Sequence, residues 1–209
     1  MQTYPIMLKV RGRPAVVVGG GEVGVRKARS LRRAGAEVKL ICQGAAPAVP
    51  EGVEVISSSY RPELLKGALL VFACTDDPRR NAAIAADARR LGALVNVADQ
   101  AEDCDFFLPA AASDGEVIVA VGTGGAAPAL AARLRDAMAR SLPDRVGEFA
   151  ALLGELRETL KTDLPDPARR GKINRRLAED AAYQAFLRGG PQAVRTILKD
   201  LHAQQRAVP

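Results

Sequence analysis

The stretch Ala15-Val16-Val17-Val18-Gly19-Gly20-Gly21-Glu22-Val23-Gly24 decides the fold. Its first four residues are small or β-branched and end abruptly at glycine, which is how a short strand buried on both faces reads. Glycines at 19, 21 and 24 then complete a GxGxxG. After a strand and before a helix this spacing has a mechanical meaning. Gly19 allows the tight turn, Gly21 lets a pyrophosphate approach the backbone, and Gly24 permits close packing of helix on strand. The N–H groups that open the helix then face the anion. Helical spacing follows over residues 25–34 and stops at Gly35, and a second strand is expected over 37–41. Dinucleotide binding is the functional reading of this βαβ unit; an ordinary strand–helix turn is the bland one.

The alternation continues outward. Residues 53–56 and 69–74 read as strands, Asp77-Pro78 opens a helix that runs to Leu91-Gly92, and residues 93–98 form a further strand ending at Asp99. Strands separated by helices imply a Rossmann-like, doubly wound parallel sheet of the α/β class over residues 1–109. The rhythm then changes. Residues 106–109 and 116–121 flank Ser113-Asp114-Gly115, the signal of a hairpin. Beyond Pro128 the chain reads as helical over 129–142, 144–161, 172–187 and 192–205, with breaks at Pro143, at Leu164-Pro165-Asp166-Pro167 and at Gly189-Gly190-Pro191. The expected organisation is a nucleotide-binding domain over 1–109, a hairpin-plus-helix region over 110–143 and a small all-helical domain over 144–209.

Composition narrows the function. With 48% hydrophobic and 26% charged residues the chain is no disordered tract, and no apolar run is long enough for a membrane span. Three widely spaced cysteines, Cys42, Cys74 and Cys104, suggest neither a disulfide framework nor a zinc knuckle, and a cytoplasmic setting is expected. Thirty basic against 24 acidic residues leave a net charge of +6, which favours anionic partners. Aromatic content of 4% with no tryptophan supplies few base-stacking surfaces, so nucleic acid is not expected among them.

The end of the second strand is Ile41-Cys42-Gln43-Gly44, without the acid that usually grips an adenosine ribose. Gln43 can hydrogen-bond a hydroxyl, so these residues leave NAD and NADP both open. No arginine sits at that strand end, which leans slightly away from a 2′-phosphate. Asp99 stands where open α/β sheets bind ligands, and a carboxylate there can act as general base; its bland reading is a loop or capping aspartate. Asp76 and Asp77 read as caps for the next helix. The turn Gly122-Thr123-Gly124-Gly125-Ala126-Ala127-Pro128 joins strand to helix and offers a second anion cradle. Thr123 is placed there to meet a substrate carboxylate or simply to cap the helix. His202, the single histidine, sits on a helix that reads as surface-docked, and metal-ligand spacing is absent. The basic cluster Arg169-Arg170-Gly171-Lys172 with Arg175-Arg176 reads as a solvated face or a contact for a polyanion.

Together these segments resemble a known family. Tyr4-Pro5-Ile6-Met7-Leu8, the glycine loop with Arg26-Lys27-Ala28, Ala73-Cys74-Thr75-Asp76-Asp77 with Asn81, Asn96-Val97-Ala98-Asp99, Phe107-Leu108-Pro109 and the turn from Val121 to Pro128 follow one another as in the precorrin-2 dehydrogenase / sirohydrochlorin ferrochelatase family of sirohaem biosynthesis. The resemblance is specific from residue 4 to about 135 and loose in the C-terminal helices. It implies NAD-dependent oxidation of precorrin-2 to sirohydrochlorin, in some members insertion of Fe²⁺, and a homodimer whose central region, here 110–143, mediates dimerisation. It implies cofactor contacts at Gly19, Gly20, Gly21, Glu22, Val23, Gln43, Gly44 and Thr75. It further implies a key aspartate at Asp99 and substrate contacts at Thr123, Gly124 and Gly125. Thr123 stands where the family carries a serine that is phosphorylated in some members. No resident metal site is implied, because the tetrapyrrole nitrogens ligate the iron.

Two other readings compete. An NAD-sensing regulatory module would share the glycine loop but need no base at Asp99. A dehydrogenase of small hydroxy or amino acids would ordinarily use a histidine or lysine acid/base, and His202 is poorly placed for that.

Overall fold

The computed structural model describes residues 3–44 and 48–206. They form two compact units, one running up to Leu108 together with Gly124–Ala126, the other comprising Pro109–Thr123 and the chain from Ala127 onward.

The first unit is the expected doubly wound sheet. Its elements are β1 (Pro14–Val18), α1 (Glu22–Arg33), β2 (Glu37–Cys42), β3 (Val53–Ser57), β4 (Leu70–Ala73), α2 (Pro78–Arg90) and β5 (Leu94–Val97). All pairings are parallel, in the order β3-β2-β1-β4-β5. β1 and β4 take the middle, which is why Val16, Val17, Val18, Val71, Phe72 and Ala73 are all nearly inaccessible. Alternation along the strands divides two cores. Val16, Val18, Ile41, Val71, Ala73, Val95 and Val97 pack against Ile84, Ala85 and Ala88 of α2 on one face. Val17, Val38, Leu40, Leu70 and Phe72 pack against Val25, Ala28 and Leu31 of α1 on the other. Asp77 caps α2 as expected, its Oδ1 accepting from the Arg79 N–H at 2.9 Å with Pro78 in the first turn.

The first hairpin strand is not where the apolar run placed it. Phe106 belongs to the first unit, its ring meeting Phe72 edge-on at a centroid separation of 5.6 Å. The hairpin is β6 (Ala110–Asp114) and β7 (Val117–Val121), antiparallel, with Asp114 opposite Val117. Aromatic packing on the sheet outcompetes local strand propensity at Phe106.

The second unit continues with α3 (Pro128–Arg140), α4 (Val146–Asp163), α5 (Pro167–Leu177) and α6 (Asp180–Arg206). Two helix boundaries differ from expectation. α5 opens at residue 167, not 172, because Asp166 accepts from the Ala168 N–H at 2.8 Å and Pro167 pre-sets the first turn. The expected continuous helix over 172–187 breaks at Ala178, with no glycine or proline to announce it. Ile173 and Leu177 on one side of the break and Ala182 and Phe186 on the other enter the same core as Phe149, Leu152, Leu156 and Leu160 of α4, so packing dictates the turn. Gly190, at φ 65° and ψ −161°, interrupts α6 where the Gly-Gly-Pro break was expected. Within this unit Asp114, at the hairpin tip, accepts from the Gly147 N–H at 2.8 Å through Oδ2. It serves the N-terminus of α4, where Arg145 is left-handed and supplies no side-chain cap.

Candidate functional site

The C-terminal ends of the five parallel strands surround a cavity of about 520 Å³. Gly19, Gly21, Glu22 and Val23 line it from the β1–α1 turn, Cys42 and Gln43 from the end of β2, and Ser58 and Tyr60 from beyond β3. Thr75, Asp76 and Arg80 reach it from the β4–α2 side and Asp99 from the end of β5. A hollow of about 540 Å³ at the opposite ends of the strands includes Gly12, Glu37 and Lys66. In sheets of this topology it is the carboxyl ends that carry the ligand.

Each glycine of the loop does a separable job. Gly19 has φ 117°, and a Cβ there would lie 2.2 Å from the Cys74 carbonyl oxygen on the neighbouring strand. A Cβ at Gly24 would lie 1.9 Å from the Gly19 carbonyl oxygen, so its absence lets α1 sit against the turn. A Cβ at Gly21 would meet nothing within 4 Å. Gly21 is also the N-cap of α1, and no side chain caps that terminus. No side chain therefore caps the first N–H donors of α1, and there is room beside Gly21, an arrangement that fits the pyrophosphate of a dinucleotide. Gly20 and Gly44 do not line the cavity; Gly44, at φ 81°, accepts from the Cys42 thiol at 3.7 Å.

Thr75 is held by Asn81, which is 3% exposed. The Thr75 N–H donates to Asn81 Oδ1 at 3.0 Å, the Thr75 hydroxyl donates to the same oxygen at 2.7 Å, and Asn81 Nδ2 donates to the Thr75 carbonyl at 3.0 Å. This closed set fixes the end of β4 against the start of α2. Asp99 is exposed and adopts φ 60°, one of two non-glycine residues with positive φ among those described. It caps nothing: the 3₁₀ turn that follows has Gln100 as its N-cap, with no side-chain cap hydrogen bond.

Several residues around the cavity carry no local sequence signal. Tyr60 donates its hydroxyl to Asp87 Oδ2 at 2.8 Å, and burial together with that carboxylate raises the phenol's pKa well above its ordinary value. Arg80 is the third residue of α2 and its guanidinium makes no hydrogen bond or ion pair among the described residues. Lys27 is half-buried with Nζ 5.8 Å from the Phe72 ring centroid; burial lowers its pKa, against the opposing pull of the Cys74 and Cys104 thiols. Burial in turn pushes Cys74 up to about 11, Lys27 lowering it and Asp99 raising it further. A thiol so placed stays protonated near neutrality, which disfavours a nucleophilic role. Cys104 is likewise raised, chiefly by burial, and its Sγ accepts from the Val97 N–H at 3.1 Å.

Thr123 Oγ1 accepts from the Ala127 N–H at 3.2 Å, both in the second unit, and Gly124 and Gly125 have φ of 61° and 84°. The hydroxyl caps the turn into α3 and still has its own proton to donate. Arg170 of the basic cluster is structural, its Nη1 donating to the Leu164 and Pro165 carbonyls at 2.7 and 2.6 Å. His202 is not simply surface-docked: its Nε2 is buried without a hydrogen-bond partner among the described residues. Among those residues, no helix is long and apolar enough to cross a membrane.

Comparison with known proteins agrees with this geometry. Residues 6–110 match the family described as putative NAD(P)-binding, and residues 145–201 match the sirohaem synthase dimerisation region. The siroheme synthase of Methylococcus capsulatus is 39% identical over 212 residues, covering 99% of this chain and 45% of that protein. Siroheme synthase 1 of Pectobacterium atrosepticum is 42% identical over 176 residues, covering 81% of this chain and 37% of that protein. The chain thus spans less than half the length of these curated relatives. SirC, a precorrin-2 dehydrogenase, shares the fold, with a TM-score of 0.71 at 20% identity over 95% of this chain and 100% of its own.

Proposed function

The chain belongs to the precorrin-2 dehydrogenase / sirohydrochlorin ferrochelatase family, and from that premise we propose that it oxidises precorrin-2 to sirohydrochlorin with NAD⁺, in the cytoplasm, as a step of sirohaem biosynthesis. When bound, NAD supplies the acceptor for the hydride. Gly19, Gly21, Glu22 and Val23 are assigned to its pyrophosphate with Gly20 completing their loop, Gln43 to the adenosine end with Gly44 completing that turn, and Thr75 borders it after β4. The open space beside Gly21 supports this assignment.

Loss of a hydride from the macrocycle is completed by loss of a proton, which needs a base. We assign that role to Asp99. The observation that carries the reading is its backbone: an aspartate at φ 60° on the wall of the glycine-loop cavity, with no helix to cap. A left-handed aspartate is tolerated at modest cost and recurs where a side chain must be aimed. Thr123, Gly124 and Gly125 are assigned to a substrate carboxylate, and the surplus of +6 suits a polyanionic substrate. Residues 1–109 are assigned to the cofactor; the match of residues 145–201 to the sirohaem synthase dimerisation region extends dimerisation in a homodimer beyond the 110–143 expected from the sequence into the helical part over 144–209. Fe²⁺, where it is inserted, is a substrate and takes its ligands from the tetrapyrrole.

The test is an anaerobic absorbance assay with precorrin-2, with and without NAD⁺, then with Fe²⁺. Sirohydrochlorin is expected only with NAD⁺. Asp99→Ala is expected to lower turnover by roughly 100-fold or more, the usual contribution of a general base, with NAD⁺ affinity within about twofold. Normal turnover in that variant removes Asp99 from the mechanism. Dinucleotide binding without any turnover of the parent protein favours the sensing module instead.

A further inference from the structure

We infer that Cys104 is a positioning residue for Asp99: its thiol bonds the backbone on both sides of the aspartate and holds the left-handed turn that sets the carboxylate on the cavity wall. The inference rests on the reading of Asp99 as the base. β5 is an edge strand, paired on one side with β4, a pairing that the Ala98 N–H extends by donating to the Ala73 carbonyl at 2.9 Å. Its outer edge has no strand beside it, so those backbone groups need other partners. Asp105 takes the first pair. Its Oδ2 accepts from the Val95 N–H at 2.9 Å, and its own N–H donates to the Val95 carbonyl at 2.8 Å. Cys104 takes the next pair, its Sγ accepting from the Val97 N–H at 3.1 Å and lying 3.3 Å from the Val97 carbonyl.

Val97 stands two residues before Asp99. The same sulfur lies 3.3 Å from the carbonyl of Gln100, the residue just after it. One S–H serves these two carbonyls in turn, while the sulfur accepts from Val97 and, at 3.5 Å, from Asn96 Nδ2. Burial raises the pKa of Cys104, so the thiol keeps the proton that it donates. Asn96 is buried and also donates to the Phe106 carbonyl at 3.0 Å, which locks the sulfur in place. Arg89 of α2 anchors the far end of the turn, donating to Asp105 Oδ1 at 2.9 Å and to the Asp103 carbonyl at 2.6 Å. The Asp99 carboxylate makes no hydrogen bond of its own among the described residues, so its backbone at φ 60° decides where it points. A non-glycine residue persists in that conformation only where its surroundings impose it. The thiol that brackets it is such a constraint.

Steady-state turnover of precorrin-2 and NAD⁺ by the whole chain tests this, in the parent, Cys104→Val, Cys104→Ser, Asp99→Ala and the Asp99→Ala/Cys104→Val double variant. Valine suits the extended backbone at Cys104, φ −94° and ψ 133°, but offers no hydrogen bond. Cys104→Val is expected to lower kcat about tenfold, the scale of a misaimed catalytic group, with KM for both substrates within about twofold. Serine keeps a donor and an acceptor on a shorter bond, and Cys104→Ser is expected to restore kcat to within about threefold of the parent. In the Asp99→Ala background, Cys104→Val is expected to change the residual rate less than about twofold, because no carboxylate is left to aim. Parental kcat in Cys104→Val overturns the inference. So does an equal loss in both backgrounds, which is what a general loosening of the fold produces. If Cys104→Val does not fold, Cys104→Ala replaces it under the same expectations and the same overturning results. Normal turnover in Asp99→Ala, or none in the parent, takes down the base reading and this role with it; a loss in Asp99→Ala without one in Cys104→Val removes the positioning role alone.

Discussion

Alanine at Gly24 and, separately, alanine at Gly21 split packing from binding inside one loop. A Cβ at Gly24 lands 1.9 Å from the Gly19 carbonyl oxygen and 3.0 Å from its carbon, both backbone atoms with no room to swing aside. α1 must lift or the turn must reshape. Overpacking of this kind costs roughly 1–3 kcal/mol, and a clash with backbone belongs at the upper end. At about 2–4 °C per kcal/mol for a chain of this size, the Tm of the first unit should fall by roughly 6–12 °C. At Gly21 the same methyl group meets nothing within 4 Å. The backbone there, at φ −70° and ψ 178°, suits alanine. Exchange at this N-cap costs no more than about 1 kcal/mol of stability. In the proposed function the methyl group stands where the pyrophosphate approaches. NAD⁺ affinity should fall at least about tenfold, or about 1.4 kcal/mol. Thermal unfolding reads the first effect and calorimetric titration the second, since the chain has no tryptophan to report binding. A Gly21→Ala variant with parental affinity, or a Gly24→Ala variant with the parental Tm, refutes the division of labour argued for this loop.

Two further outcomes follow from particular contacts. Asp114→Ala removes the carboxylate that serves the Gly147 N–H at the start of α4 and should cost about 1–2 kcal/mol in urea unfolding, with Asp114→Asn recovering part of it; a loss below about 0.3 kcal/mol would show that water caps this helix equally well. Cys74, with its pKa pushed up to about 11 from 9.0 chiefly by burial, should be alkylated by iodoacetamide at pH 8 about a hundredfold more slowly than an unperturbed thiol, as peptide mass spectrometry would read. The sign for stability follows from linkage. The unfolded thiol loses its proton first, so Cys74 withdraws stability as pH rises from about 9 towards 11, while Lys27, whose pKa is lowered, acts in the opposite direction.

Much of the first unit was legible because its rules are local. Val16-Val17-Val18 is apolar on both faces and can only be a buried strand. Gly24 is spaced for the packing it performs, and Asp77-Pro78 caps the helix that it announces. Asp99 was legible as a position, at the end of a strand, but not as a conformation, since nothing in Ala98-Asp99-Gln100 demands a positive φ. The second unit was legible in its helical character and less so in its boundaries. The break at Ala178 lacks any breaker residue and exists because Leu177 and Phe186 must reach one core from two directions. Asp166-Pro167 reads as an interruption in the sequence but is also a start signal, a cap followed by a first-turn proline.

The sequence by itself determined which segments become strands, where the glycine loop lies and which of its glycines the packing needs, because burial periodicity and backbone sterics act over a few residues. Tertiary structure alone decided which side chains share the cavity. The order β3-β2-β1-β4-β5 carries the ends of strands far apart in sequence to one edge, so Gln43, Tyr60, Arg80 and Asp99 meet there by topology. The same holds for Asp114, which serves a helix 33 residues further on, and for Lys27, whose burial beside Cys74 depends on the packing of α1 against β4. Contacts of that range leave no local signature, since their energy comes from groups that only the folded chain brings together.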